Sequence, residues 1–495
     1  MPELDPDGRA IEVGGLTLRT PGLRGVADAA PTDRVAMRSA KLITGNFDQA
    51  LVDAGLETQN AVVLKETREA LSAPSVGARS TATGEAALEV VAPSPGKDYG
   101  QVLLATDESG VMTWSFAVEE DPTPTVRGPA GTRTYLVRRH VPSSAATESA
   151  SRGLVGAIGN KVLKVLAFKL IDKVAGEVGK HYVGRWETAQ RPYRLREFLP
   201  ADYTSADAPL VEGDRWHQLG AGRALLFVHG TFSRAHTGFG LLPTAFIEQM
   251  HELYGGRVFA FDHFTLSQDP RTNVEWLIDQ IPDGAKLELD IICHSRGGLV
   301  SRELAERQAE LALGSRSIEV RRIVFVGTPN NGTLLADPKH FGDLIDTYTS
   351  LLNLFPDTGV LEVIQTVISV VKQIAVGALE GLDGLTSMRP GGDFLKGLNK
   401  AGPTAGGTYF ALASNYEPTE GGLADFIGDR LADAIFKSDN DLIVPADGVS
   451  EANGSNLFPI ERLHTFPATD GIQHTHYFKN QVTKEKLVEW MTADP

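Results

Sequence analysis

The sequence predicts an α/β architecture for the C-terminal half of the chain, joined to a smaller β-rich or α+β unit at the N-terminus. Three observations predict it. From about Ala221 onward come continuous apolar runs, "RALLFVHG", "GRVFAFDH", "LELDIICHS", "RRIVFVGTP" and "TYFALASN", and such runs belong to strands buried on both faces. Helical stretches, "LLPTAFIEQMHELY", "PRTNVEWLIDQI" and "RGGLVSRELAERQAEL", separate the first four. That alternation calls for a mostly parallel sheet with helices on both sides. Upstream, by contrast, short strands are separated by turn formers.

A chain of 495 residues has room for two or three domains, and its 42% apolar and 22% charged content suits an ordinary soluble protein. The net charge of -16 argues against a nucleic-acid binder, which needs basic surface to displace counterions from phosphates. Cys293 is the single cysteine, so no intramolecular disulfide and no cysteine metal cluster can form. The polar start "MPELDPDGRAIEVGG" lacks the layout of a signal peptide, and no apolar run is long enough for a membrane span. The expected location is therefore the cytoplasm, and the abundance of Ala, Gly, Arg and Asp hints at a GC-rich bacterial genome.

Residues 1–142 are expected to form the N-terminal domain. Within it "FDQALVDAGLETQNAVVLKE" reads as helix then strand, "QVLLATDESGVMTWSFAVEE" as a hairpin turning at Ser109 and Gly110, and "TRTYLVRRHV" as a further strand. Nothing in this region carries recognisable chemistry. Residues 143–220 read as a linker, "PSSAATESASRG", followed by a basic amphipathic helix in "LVGAIGNKVLKVLAFKLIDKVAGEVGKHYVG". Such a helix packs its apolar stripe on a neighbour more often than it lies on an anionic membrane. The α/β domain then spans 221–495.

Within that domain "CHSRGG" falls at the end of one strand and the start of a helix. Ser295 thus occupies a sharp strand-to-helix turn, and Gly297 and Gly298 let the two elements approach closely. A serine that merely caps the helix is the bland reading, level with a nucleophile on this motif alone. An activated serine also needs a base, an acid and donors for an oxyanion. "LLFVHGTF" ends an earlier strand, where the Thr231 backbone N–H can converge with that of Arg296 as an oxyanion hole. Gly230 makes the turn and His229 is read as a brace for that loop. The Arg296 side chain, beside the serine, either favours an anionic substrate or pairs with a nearby carboxylate.

Taken together these motifs resemble the serine lipases and esterases of the α/β-hydrolase fold, over about Arg223 to Met491. "VHGTF" is similar to the oxyanion-loop motif, and "CHSRGG" to the His-Ser-x-Gly-Gly elbow, with Cys293 in place of its first glycine and His294 before the serine. "GTPNNGT" and "LTSMRPGGDFLKGLN" look like the segment after the next strand and the close of a lipase cap. The resemblance implies Ser295 as nucleophile, an acid ahead of Val444 and Pro445, and a base in the penultimate loop. Asp441 is preferred as the acid, with Asp439 in reserve. His474 is preferred as the base, with His476 in reserve and His464 read as structural.

The insertion at about 334–400 is longer than an ordinary connection and reads as a helical cap, built from "FGDLIDTYTSLLNLF" and "GVLEVIQTVISVVKQIAVGALEGL". Its apolar residues suit an acyl-chain cleft as well as plain packing. The expected function is hydrolysis of carboxylic, lipid or acyl, esters through an acyl-enzyme on a Ser-His-Asp triad, with no metal and no cofactor. Thioesterase or acyltransferase chemistry uses the same groups, and an idle interaction or effector module is the reading from another class. The implied partners are a small ester or lipid substrate, and no nucleic acid. Peripheral membrane contact through the basic helix or the cap, and a protein partner for the N-terminal domain, stay open.

Overall fold

The computed structural model describes residues 1–30, 45–69, 87–107, 110–118, 131–138, 161–170, 181–355, 360–400, 407–417, 438–452 and 456–493. The proposed linker around 142–153, Ser109 and most of the segment flanking the expected basic helix lie outside them.

The N-terminal unit is a pair of antiparallel sheets. One takes β1 (Ile11–Val13), β2 (Leu16–Arg19), β5 (Ala87–Pro93) and β8 (Thr132–Arg138), in the order β1-β2-β5-β8. The other runs β3-β4-β9-β6-β7, from β3 (Leu23–Ala29), β4 (Leu56–Glu69), β6 (Tyr99–Asp107), β7 (Met112–Phe116) and β9 (Lys161–Lys169). Helix α1 (Gly45–Asp53) precedes β4, as its sequence predicts, and β6 and β7 form the expected hairpin. Leu18, Val90 and Val137 of the first sheet share a core with Leu64, Leu103 and Val165 of the second. Residues of opposite parity, among them Leu104, Trp114, Leu166 and Phe168, pack instead into the core of the α/β unit. The larger sheet is therefore covered on both faces.

That double burial corrects the reading of 143–220. "KVLKVLAFK" is not a basic amphipathic helix but β9, the central strand of the larger sheet, bonded to β4 on one side and β6 on the other. Leu163 and Val165 face the sandwich core, while Lys164 on the opposite face pairs with Asp48 of α1 at 2.8 Å. Its lysines hold strand positions rather than one helical face.

The second boundary also moves. Helix α2 (Tyr182–Gln190) and β10 (Arg194–Glu197) precede the first predicted strand, and β10 pairs antiparallel with β12 (Val258–Asp262). The α/β unit thus begins near residue 181 rather than 221. Its seven-stranded sheet runs β10-β12-β11-β13-β14-β15-β18, with β11 (Arg223–Val228), β13 (Lys286–His294), β14 (Ser317–Val326), β15 (Thr408–Ser414) and β18 (Ile460–Phe466). All neighbours except β10 pair parallel. Helices α3 (Thr244–Leu253), α4 (Pro270–Gln280) and α5 (Gly297–Glu306) connect the strands where the sequence predicts helices.

The chain passes from β11 to β12 on one side, then crosses to β13 on the other. Strand order reverses between β11 and β13, and in open α/β sheets the crevice beyond such a switch point is where ligands bind. Above it lies the insertion, led by α6 (Phe341–Leu354) and α7 (Val360–Ala375). Their outer surface is not open. Trp114 of β7 donates its backbone N–H to Asp346 Oδ1 at 2.7 Å and its indole N–H to Thr349 Oγ1 at 3.0 Å. Met112 N–H donates to Ser350 Oγ at 3.0 Å, and that hydroxyl donates to Met112 O at 3.0 Å. The Lys372 amine of α7 donates to Ala54 O just past α1. The N-terminal sandwich therefore grips the back of the cap. Among the described residues no helix is long and apolar enough to cross a membrane.

Candidate active site

Three loops at the C-terminal ends of β11, β13 and β15 each contain one side-chain-bearing residue with positive φ: Phe232 (61°), Ser295 (52°) and Leu442 (83°). This backbone region is costly for anything but glycine and persists only where the surroundings impose it. For Ser295 the surroundings are plain. Its N–H continues the parallel ladder by donating to Val326 O at 2.8 Å, after which the chain must turn at once into α5. The turn is tight enough that a Cβ on Gly297 would stand 2.3 Å from Val228 O, and one on Gly298 2.3 Å from Thr328 side-chain atoms. Cys293 is fully buried within β13, its Sγ on Val324 O at 3.2 Å, so a side chain fits where the resembling motif has glycine. Burial pushes that thiol up to about 12, which leaves it an inert packing group.

The loop after β11 lies against the serine. A Cβ on Gly230 would come within 2.6 Å of Ser295 Cβ. His229 braces this loop, as predicted. Its Nε2 accepts the His263 backbone N–H at 3.1 Å, so Nδ1 carries the proton and donates to Gly230 O at 3.0 Å. Burial holds its pKa down to about 3, which keeps it neutral. Thr231 is buried beside it, its hydroxyl facing Met388 Sδ of the cap at 3.6 Å. Neither the Thr231 nor the Arg296 backbone N–H donates a hydrogen bond among the described residues.

Asp441 and His474 meet. Asp441 Oδ2 accepts from His474 Nδ1 at 2.8 Å, and the His474 backbone N–H returns a bond to Asp441 O at 3.0 Å. Asp441 Oδ1 accepts from the backbone N–H groups of Ile443 (3.1 Å) and Val444 (2.8 Å). With Nδ1 on a carboxylate, His474 Nε2 is the nitrogen turned away from Asp441, and it is buried without a hydrogen-bond partner among the described residues. Asp439 is exposed, and among the described residues it accepts the Ala446 N–H through its carbonyl. His476 turns its ring to Phe355 at 5.3 Å rather than to Asp441, and His464 sits on the edge strand β18 against Phe466.

Two expectations for neighbouring side chains need amending. The Arg296 guanidinium neither points to a substrate nor pairs with a carboxylate. It is fully buried and donates to Gly384 O (2.8 Å), Phe264 O (3.3 Å), Asn273 Oδ1 (3.1 Å) and Gln268 O, stitching the cap to the β12 loop. His294 does more than precede the serine. Burial lowers its pKa to about 3, and its Nε2–H donates to the His474 carbonyl at 2.9 Å, fixing the histidine loop over the elbow.

Sequence reasoning missed three contributors. Tyr477 donates its hydroxyl to Asp441 Oδ2 at 3.0 Å, and burial raises its pKa well above the ordinary tyrosine value. Tyr348 of α6 stands edge-on to His474 with ring centroids 6.4 Å apart and also against Phe232. Glu187 of α2 accepts from the backbone N–H groups of Thr265, Leu266 and Ser267 and from the Ser267 hydroxyl, shaping the loop on which Arg296 rests. The tyrosine after the histidine was visible in "HTHYFKN"; the other two are joined only by folding. All three residues are buried, with Ser295 1%, Asp441 1% and His474 0% exposed.

The profile of a family described as "Domain of unknown function (DUF7379)" matches residues 190–492. The chain belongs to that family. The DUF7379 match starts just ahead of β10, in accord with the boundary seen in the fold. No curated protein matches the chain. Among solved structures, a carboxylesterase of Nitrososphaera gargenis is similar at 14% identity, covering 55% of this chain and 90% of that one with a TM-score of 0.31. Lipase 1 from Pelosinus fermentans is similar at 13% identity, over 55% and 99%, with a TM-score of 0.38. Phospholipase PlaB from Legionella pneumophila is similar at 14%, over 55% and 60%, with a TM-score of 0.34.

Proposed function

We propose that this DUF7379 chain is a serine hydrolase of the α/β-hydrolase fold that cleaves carboxylic esters through an acyl-enzyme. The observation that carries the reading is the His474–Asp441 hydrogen bond of 2.8 Å, which leaves Nε2 unpartnered in the loop that His294 ties to the Ser295 elbow. In the proposed cycle His474 Nε2 removes the Ser295 hydroxyl proton as Oγ attacks the ester carbonyl carbon. The Thr231 and Arg296 N–H groups stabilise the oxyanion, with each such donor contributing about 3 kcal/mol. Collapse expels the alcohol, protonated by His474, and water repeats the sequence on the acyl-serine. Asp441 keeps the histidine in the useful tautomer and stabilises its charged form. The apolar inner face of the cap suits an acyl substrate, lipid or otherwise.

The test is direct. Wild-type protein incubated with a fluorophosphonate probe and with p-nitrophenyl esters of graded chain length is expected to label and to hydrolyse. Ser295→Ala should do neither, and Asp441→Asn should fall on the order of 10⁴-fold in kcat. Absence of labelling and turnover in wild type under all conditions hands the reading to an idle interaction module.

A further inference from the structure

Gly230 O accepts three hydrogen bonds: from His229 Nδ1 at 3.0 Å, from the Ser233 hydroxyl at 2.9 Å and from the Ser233 backbone N–H at 3.4 Å. That carbonyl shares a planar trans peptide with the Thr231 N–H, so the two point in opposite directions. Whatever fixes the carbonyl therefore aims the N–H.

The turn is not one that its own sequence favours. The bond from Ser233 N–H to Gly230 O closes four residues, and the third of them, Phe232, has a φ of 61°. Turns with positive φ at that position favour glycine or asparagine there, because a larger side chain crowds the backbone. Relaxation of Phe232 would rotate its flanking peptides and break the turn. Two contacts from outside oppose it. The Phe232 ring is fully buried and stands edge-on to Tyr348 of α6, with centroids 4.6 Å apart. Its carbonyl accepts from Arg191 Nη1 at 3.2 Å. The guanidinium is itself held by the cap, donating to Thr366 Oγ1 at 3.0 Å with Glu362 3.5 Å from its Nε, both on α7. The charge of Arg191 is thus matched within the fold, and its direction is set.

We propose that Ser233 and Arg191 are positioning residues for the Thr231 oxyanion donor. Ser233 holds the donor's own peptide from inside the turn, and Arg191 holds the strained residue after it from outside. Both roles rest on the hydrolase reading and extend it to side chains that act through the backbone rather than on the substrate. The ester oxygen gains its charge only in the transition state, so a misaimed N–H lowers kcat more than it raises KM.

The experiment compares Ser233→Ala, Ser233→Thr and Arg191→Met with wild type on a short p-nitrophenyl ester, and measures Ki for an alkyl trifluoromethyl ketone. That inhibitor adds to a reactive serine as a tetrahedral oxyanion, so its affinity reports the hole without turnover. Ser233→Ala is expected to lose roughly tenfold in kcat with KM within about twofold, less than the 10²–10³-fold that deleting a donor costs. The ketone should weaken by the same factor. Ser233→Thr, which keeps the hydroxyl, should recover both. Arg191→Met should show the same split between kcat and KM. Ser233 is half-buried and its substitutions are small, so that pair carries the test should Arg191→Met fail to fold. An active wild type matched by Ser233→Ala in kcat and Ki overturns the proposal and leaves the hydrolase reading standing. A loss that Ser233→Thr does not recover, or one confined to KM, overturns it likewise. A wild type that hydrolyses no ester and binds no ketone brings down both.

Discussion

Ser295, Phe232 and Leu442 hold backbone conformations that their own side chains oppose; Ser295 is the proposed nucleophile, and the other two directly follow Thr231 and Asp441. The strain is local to the three loops that have to converge, and the neighbouring glycines show how little slack remains. Gly230→Ala would drive a methyl group to 2.6 Å from Ser295 Cβ, so probe labelling should fall at least a hundredfold while the far-UV spectrum stays that of a folded chain. Tyr477→Phe removes one of the two side-chain donors on Asp441 Oδ2. A hydrogen bond to a charged group contributes about 1.5–3 kcal/mol. The expected loss is therefore roughly tenfold in kcat with KM little changed, measured on a short p-nitrophenyl ester. At this scale the sequence was readable wherever a motif is contiguous: Asp441 and His474 are hydrogen-bonded, and Ser295 lies at the strand-to-helix turn the motif predicts. Arg296 was misjudged because its four acceptors sit on three separate segments, which no spacing rule links.

The elements separate according to how many faces each buries. Strands β11 to β15 each carry a continuous apolar run and were read correctly, since a sheet covered on both sides tolerates that composition. The same property hid β9. A strand buried on both faces has no alternation, and its valines and leucines then fall at helical intervals by default. Strand β10, "RLRE", is short and charged and lies at the sheet edge, where one neighbour suffices, so it gave no signal at all. Helix α5 carries a conflict of its own. Burial pushes Glu303 up to about 7, and Arg271, 4.0 Å away, does not offset it. The folded chain keeps that proton between the ordinary value of 4.5 and about 7, whereas the unfolded chain gives it up. This group therefore favours folding below pH 4.5, and the contribution is lost as pH rises through 7. Glu303→Gln should raise the Tm by roughly a few degrees at pH 8 and change it little near pH 4, as calorimetry at the two values would show.

Across the whole molecule the sandwich, the cap and the sheet are stacked in that order, so the candidate site is roofed by helices that are themselves held from behind. A cap of this kind cannot lift as a free flap. On the proposed hydrolase reading, its helices have to part either from β7 or from the sheet before a substrate reaches Ser295. Removing the side chains that tie α6 to Met112 and Trp114, with Asp346→Ala and Ser350→Ala together, deletes hydrogen bonds of about 1 kcal/mol each. Fluorophosphonate labelling should then be roughly tenfold faster than in wild type. A double variant that melts earlier but labels at the wild-type rate would mean that the contact is structural only. None of this was readable beforehand, because the N-terminal domain carries no motif and its role lies in what it touches.

The burial of Cys293 has a practical side. A thiol walled into the central strand will not react with maleimides while the chain is folded, so every cysteine introduced on the surface becomes a unique chemical handle. Dyes attached in this way to the sandwich and to the outer end of the cap would report, molecule by molecule, how far the two separate during turnover.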